Sequence, residues 1–163
     1  LERVGRKICP NNAMRFIGFE REISAEKWAR PLLGLKDEPE FFRAMSAVDD
    51  DEKFVCTAIF NNFTPRNIDV SFASRGGNWA SPKETLRMFN AIFTYIFKIH
   101  EASRATALIG HNNKKSIRFV KRLGFKHEGT MRQAYDDNED LEVFGFLRNE
   151  YNTHRWCNVR TAR

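Results

Sequence analysis

Residues 112–130 read NNKKSIRFVKRLGFKHEGT. The side chain of Asn112 or Asn113 can accept hydrogen bonds from the free N–H groups of a first helical turn, so a helix is expected to start there. Ile117, Val120 and Leu123 recur at helical spacing with Phe119 and Phe125 close by, while Lys114, Lys115, Arg118, Lys121 and Arg122 take the other face. Gly124 sits where a helix ends in a left-handed residue. Phe125 to Tyr135 then has strand character.

Written as N-x-x-S-I-x-x-x-K-x-L-G-F-x-x-E-G, this run resembles the C-terminal motif of the GNAT acyl-CoA N-acyltransferases. Asn113, Ser116, Lys121, Leu123, Gly124, Phe125, Glu128 and Gly129 carry the match. It lies nearest the branch that acetylates ribosomal-protein N-termini. The plainer alternative is a capped helix followed by a strand, which many α/β proteins contain.

Upstream, Arg15 to Glu22 alternates weakly and is expected to form a first strand. Ser24 to Leu35 opens with a Ser cap and Glu26 and carries Trp28, Leu32, Leu33 and Leu35, which predicts a helix. Pro31 within it predicts a kink or a break into two short helices. Pro39 to Met45 is expected as another short helix, and Asp49 to Glu52 as an acidic turn. Phe54–Phe60 is rich in strand formers, and Asn61-Asn62 with Thr64 to Asn67 punctuates a turn. Ile68 to Ala73 alternates, with Ile68, Val70 and Phe72 on one face and Asp69, Ser71 and Ala73 on the other, so the two form an antiparallel hairpin.

After the glycine loop Ser74 to Trp79, Ser81-Pro82-Lys83-Glu84 predicts a capped helix with Pro in its first turn. Leu86, Phe89, Ile92, Phe93, Ile96 and Phe97 form its apolar stripe, a core feature, and it ends near His100. Arg104 to Ile109 reads as a short buried strand, Asp136 to Asp140 as a hairpin tip, and Leu141 to Leu147 as a last strand. The order β, α, α, β, β, glycine loop, α, β, α, β, β resembles the GNAT arrangement from Phe16 to Tyr151. The resemblance implies an α/β (α+β) fold: a mixed, mostly antiparallel sheet flanked by helices and splayed between its fourth and fifth strands. Those are Ile68–Ala73 and Arg104–Ile109, and the cofactor enters the gap between them. A single domain is expected over residues 1–163, with a basic tail from 152.

The chain has 163 residues, 42% of them hydrophobic and 15 of them Phe, which supplies a core and excludes a disordered chain. No apolar run is long enough to cross a bilayer, and no charged-then-apolar signal segment opens the chain. It begins Leu1-Glu2 without Met, as expected where the natural start lies upstream. Cys9, Cys56 and Cys157 are odd in number and lack metal or redox spacing, so a reduced cytoplasmic protein without a metal site is expected. Cys56, within an apolar run, reads as a buried hydrophobe. The net charge of +6 suits an anionic ligand, either a phosphorylated cofactor or a nucleic acid. The cationic tail from His154 to Arg163 is either solvated or a contact for nucleic-acid phosphates.

The resemblance also implies a site. Gly76-Gly77 precede a helix N-terminus, which favours phosphate, and Arg75 and Lys83 add positive charge. With Asn78 and Trp79 this loop is the expected pyrophosphate site of coenzyme A, although the family's glycines are not adjacent. Backbone groups of Phe72 and Ala73 would pair with the pantetheine amides, and an N–H near Ala73 would stabilise the oxyanion. Asn113 would hold pantetheine or orient a water. Acyl transfer to an amine needs a base for the amine proton and a donor for the thiolate. The Tyr that many members use as donor aligns with Val120 here, and Ser116 matches the hydroxyl of the ribosomal branch. Asp69, at the family's acidic position, is the first candidate base, against a solvent-facing strand Asp. His111 is the second, against a structural His at a strand end.

The function implied is transfer of an acetyl group from acetyl-CoA to an amine by direct attack in a ternary complex. The acceptor is a protein N-terminus, a small amine, or an amine on a nucleic-acid base. The rival readings are a GNAT-shaped binding or regulatory module without catalysis, and a nucleic-acid binder with no cofactor. Homodimerisation is among the assemblies the resemblance implies, and no membrane partner is expected.

Overall fold

The structure, a computed structural model, describes residues 14–77, 79–136 and 138–155. Asn78, Cys9, Cys157 and the basic tail beyond Arg155 lie outside them. The elements in chain order are β1 (Arg15–Gly18), α1 (Glu22–Leu33), β2 (Arg43–Val48), β3 (Phe54–Asn61), β4 (Asn67–Ser74) and α2 (Pro82–Thr94). A π-helical turn, Tyr95–Ile99, prolongs α2. Then come β5 (Arg104–Gly110), α3 (Lys114–Leu123), β6 (Lys126–Asp136), β7 (Glu139–Leu147) and α4 (Arg148–Thr153). The strands form one sheet in the order β1-β2-β3-β4-β5-β7-β6. Every neighbouring pair is antiparallel except β4 with β5.

Local chemistry sets both helices that frame the site. Ser81 and Glu84 cap α2 reciprocally, each side chain accepting from the other's backbone N–H, with Pro82 in the first turn. Asn113 caps α3, its Oδ1 accepting from Ser116 N–H at 3.1 Å, and Gly124 closes it at φ 111°. Ile68 and Phe72 of β4 face α2, where the Phe72 and Phe89 rings lie 4.9 Å apart. On the other face of the sheet, Ile59 and Ala73 pack against Ala29 of α1.

Four sequence expectations are corrected here. The first strand stops at Gly18, whose φ of 58° turns the chain. The next helix starts at Glu22 rather than at a Ser24 cap, behind a left-handed Arg21. Pro31 does not break α1, because it falls in the last turn, just before Gly34 ends the helix. Pro39 to Met45 is not a helix: Arg43–Val48 pairs with both β1 and β3, so cross-strand partners and burial override the helix preference of Ala44 and Met45. The sequence reading also lacked α4, whose Tyr151 is fully buried and stacks 5.0 Å from Phe97.

β4 and β5 pair only at Asn67↔Arg104, Ile68↔Ala105 and Asp69↔Thr106. Beyond Asp69 they diverge, and Val70 to Ser74 have no partner in β5. The expected splay between the fourth and fifth strands is present.

Phe93 ties α2 to the second half of the sheet. It is 1% exposed, with ring centroids 5.2 Å from Phe146 and 6.1 Å from both Phe125 and Tyr151. Truncating such a ring leaves a cavity, so Phe93→Ala should lower stability by about 3–5 kcal/mol in urea unfolding.

Candidate functional site

The splay opens a cavity of about 550 Å³. Its walls come from Asp69 to Phe72 of β4, Thr106 to Gly110 of β5, Asn113 and Ser116 at the head of α3, and residues 32–39 at the end of α1 and just beyond it. Phe89 of α2 and Phe119 of α3 supply the aromatic floor, their rings 5.5 Å apart.

Asp69 and Ser116 therefore reach one cavity from different elements. Both Asp69 oxygens are engaged: Asn67 Nδ2 donates to Oδ1 at 2.7 Å and Asn62 Nδ2 to Oδ2 at 2.8 Å. The Ser116 hydroxyl has no hydrogen-bond partner among the described residues and is half-buried. Asn113 spends its Oδ1 on the helix cap and lines the cavity as well.

His111 is not among the cavity-lining residues. Its Nδ1 meets Glu142 Oε1 at 2.5 Å, while Lys114 Nζ donates to Nε2 at 3.1 Å, an arrangement that places the ring proton on Nδ1. Glu142 is buried and its other oxygen takes His127 Nε2 at 2.5 Å and the Thr130 hydroxyl at 2.7 Å. The hydrogen bonds from His111, Thr130 and His127 hold this carboxyl at about 2, although burial opposes them.

The glycine loop lies further along β4, past Ala73. Gly76 and Gly77 both have positive φ, 86° and 62°, which suits glycine. Arg75 does not point free charge into the loop: its Nη1 donates to the buried Asp49 Oδ2 at 2.6 Å. Burial alone would raise the Asp49 pKa, but Arg75 and the N–H groups of Lys53 and Asp51 hold it below its ordinary value. Trp79 rests on Phe72, 5.4 Å between centroids, as an apolar cover. The α2 N-terminus already carries a carboxylate, since Glu84 Oε1 accepts from Met14 N–H and Oε2 from Ser81 N–H. Of the expected anion donors, the Gly76–Gly77 backbone and Lys83 are without such a competitor among the described residues.

Sequence reading missed Tyr135, a cavity-lining residue of β6. A Cβ on Gly34 would sit 2.6 Å from its hydroxyl, and one on Gly110 would sit 3.0 Å from its ring. Two glycines that read only as a helix stop and a strand end thus make room for one tyrosine. Nothing local signals this, because the three residues come from β6, the end of α1 and β5. Among the described residues no His, Cys, Asp and Glu group could hold a metal ion, and no helix is long and apolar enough to cross a membrane.

No protein-family model matches the chain, and no curated protein matches it in sequence. The fold is shared with solved acetyltransferases. The spermidine N-acetyltransferase of Vibrio cholerae in complex with CoA and spermine superposes with a TM-score of 0.63 at 12% identity, covering 85% of this chain and 97% of that one. The same protein's dodecameric structure gives a TM-score of 0.63 at 11% identity, with 86% and 96% covered. A GNAT-family acetyltransferase of Bacillus anthracis gives 0.56 at 14% identity, with 76% and 73% covered. The chain thus has a GNAT-like fold.

Because the folded Glu142 carboxyl lies below its ordinary 4.5, folding favours its ionised form. That contribution is complete above about pH 4.5 and drains away as the pH falls toward about 2. Thermal unfolding of Glu142→Gln followed between pH 6 and pH 3 should show a flatter decline than the native chain; parallel curves would contradict this assignment.

Proposed function

We propose that this chain is an acetyl-CoA-dependent N-acetyltransferase acting on an amine. The observation that carries the reading is the convergence of Asp69 of β4 and Ser116 of α3 on the cavity where β4 leaves β5. The shared fold with acetyltransferases, one of them in complex with CoA and spermine, supports it. Bound acetyl-CoA would supply the thioester acyl group.

The chain's own groups suit such a ligand. Val70 and Phe72 leave backbone donors and acceptors unpaired on the edge facing the gap, ready to bind an amide chain as another strand would, while Ser71 and Ala73 pair with β3. The Gly76 and Gly77 N–H groups would face the pyrophosphate, with a strand N–H near Ala73 on the developing oxyanion. In the step itself the amine nitrogen bonds to the acyl carbon and the C–S bond breaks. Asp69 takes the amine proton through a water, and the Ser116 hydroxyl gives a proton to the departing sulfur.

For the acceptor, the first choice is a protein N-terminus, as in the branch the 112–130 motif resembles, followed by a small polyamine. Asp37, Glu38 and Asp69 line the cavity with one cation, Lys36; Glu38 is paired with Arg30 and Lys36 with Asp136, and the remaining carboxylates favour a cationic amine over an anionic one. A second reading, a binding module without turnover, is favoured by the two amides already holding Asp69 and by the Glu84 carboxylate on the α2 N-terminus.

Calorimetric titration separates these readings. Acetyl-CoA and desulfo-CoA should bind with micromolar affinity, and Gly77→Asp should abolish binding. No binding of either ligand would overturn the reading. With an acceptor in hand, Ser116→Ala should lower kcat about 100-fold at unchanged acetyl-CoA affinity, the scale of a lost general acid. Asp69→Asn should lower kcat at unchanged acetyl-CoA affinity. Tight cofactor binding without turnover of any N-terminal peptide or polyamine would favour the binding module.

A further inference from the structure

The strongest charge feature of the molecule is not used by this chemistry. Lys114, Lys115, Arg118, Lys121 and Arg122 crowd the ten residues of α3, with no acidic residue among them. At about 100° per residue, the five fall within an arc of about 120°. Ile117, Phe119, Val120 and Leu123 occupy the opposite side and pack on the core.

None of the five pairs with a carboxylate among the described residues. Several basic side chains elsewhere are neutralised: Arg15 and Arg21 by Glu52, Arg30 by Glu26, Arg43 by Glu22, Arg75 by Asp49, Arg104 by Glu128. At the C-terminal end of the patch, Arg155 Nη2 donates to the Arg122 carbonyl at 3.4 Å.

The character of this face narrows the partner. The exposed large hydrophobics Phe16, Ile23, Leu32, Phe41, Ile99 and Met131 all lie off α3, as do the remaining ones. The face therefore has no apolar anchor for a protein hot spot. It has no aromatic ring for stacking unpaired bases, and its apolar side is buried against the core rather than free to enter a bilayer. A row of regularly spaced, unneutralised cations without apolar contacts complements a phosphate backbone.

We propose that the outer face of α3 binds the sugar–phosphate backbone of duplex nucleic acid without reading its sequence. The inference is independent of the acyltransferase reading. The α3 residues that line the cavity, Ser116, Phe119, Val120 and Leu123, lie on the side of the helix opposite the basic arc.

The test is fluorescence anisotropy of the full chain with a labelled 20-base-pair DNA duplex between 50 and 200 mM NaCl. Five phosphate contacts predict a log–log salt slope of about −4.5, an affinity loss of about 500-fold over that range. The triple variant Arg118→Gln, Lys121→Gln, Arg122→Gln should flatten the slope to about −1.8, a loss of about 12-fold. Gln keeps helix propensity, so circular dichroism and acetyl-CoA affinity should be unchanged. A duplex of scrambled sequence should bind equally. No binding by the native chain at 50 mM NaCl, or an unchanged slope in the folded triple variant, overturns the proposal. So does stronger binding to vesicles containing phosphatidylserine or to poly-glutamate than to the duplex.

Discussion

The two halves of the sheet are held together by a seam three residue pairs long, and the site exists because the seam is that short. On the α1 face it is laced by side chains. Thr106 Oγ1 donates to Asn67 Oδ1 at 2.6 Å, Asn67 Nδ2 donates to Asp69 at 2.7 Å, and Arg104 Nε donates to Thr106 at 3.1 Å. Arg104 then reaches Glu128 of β6 at 2.6 Å. The ladder thus runs from β4 through β5 and across β7 to β6. Gly145 of β7 is what lets it cross, since a Cβ there would meet Glu128 Oε1 at 2.1 Å and Arg104 Nη2 at 2.8 Å. Charged and amide partners in a partly buried chain strengthen one another, so a seam this short can still fix where the strands part.

This explains a tension at Asp69. The residue closes the polar ladder and lines the cavity at once, so its orientation is set by the same contacts that hold the halves together. A carboxylate fixed by two amides is well placed for its remaining lone pairs to meet a water. It also has less freedom than a base on a loop. Ser116 is the reverse case. Its backbone is pinned by the Asn113 cap while its hydroxyl has no partner among the described residues.

What the sequence revealed followed local chemistry. α2 and α3 were legible because their caps, apolar stripes and Gly124 stop act within a few residues. The β3–β4 hairpin was legible from alternation at Ile68 to Ala73. β2 was not, because Ala44-Met45-Ser46-Ala47 carries no strand signature and is extended only by partners on both sides. The same limit applies to the site. Arg75 looked like a free cation beside glycines, but Asp49, 26 residues away, claims it. His111 looked like a base at a strand end, but Glu142, 31 residues away, engages its Nδ1, and the ring is not among those lining the cavity. The convergence of Asp69 and Ser116 was implied by family resemblance and not by spacing. Tyr135, seated on two distant glycines, had no local signal at all.

The central claim is that the unpaired edge of β4 is where a coenzyme A thioester lies. Hydrogen exchange of the native chain, with and without saturating acetyl-CoA, reads that edge directly. The account predicts slowed exchange confined to Val70, Phe72 and the Gly76–Gly77 loop, with Ser71, Ala73 and the β2–β3 amides unchanged. Saturating ligand that leaves Val70 and Phe72 exchanging as before would contradict it.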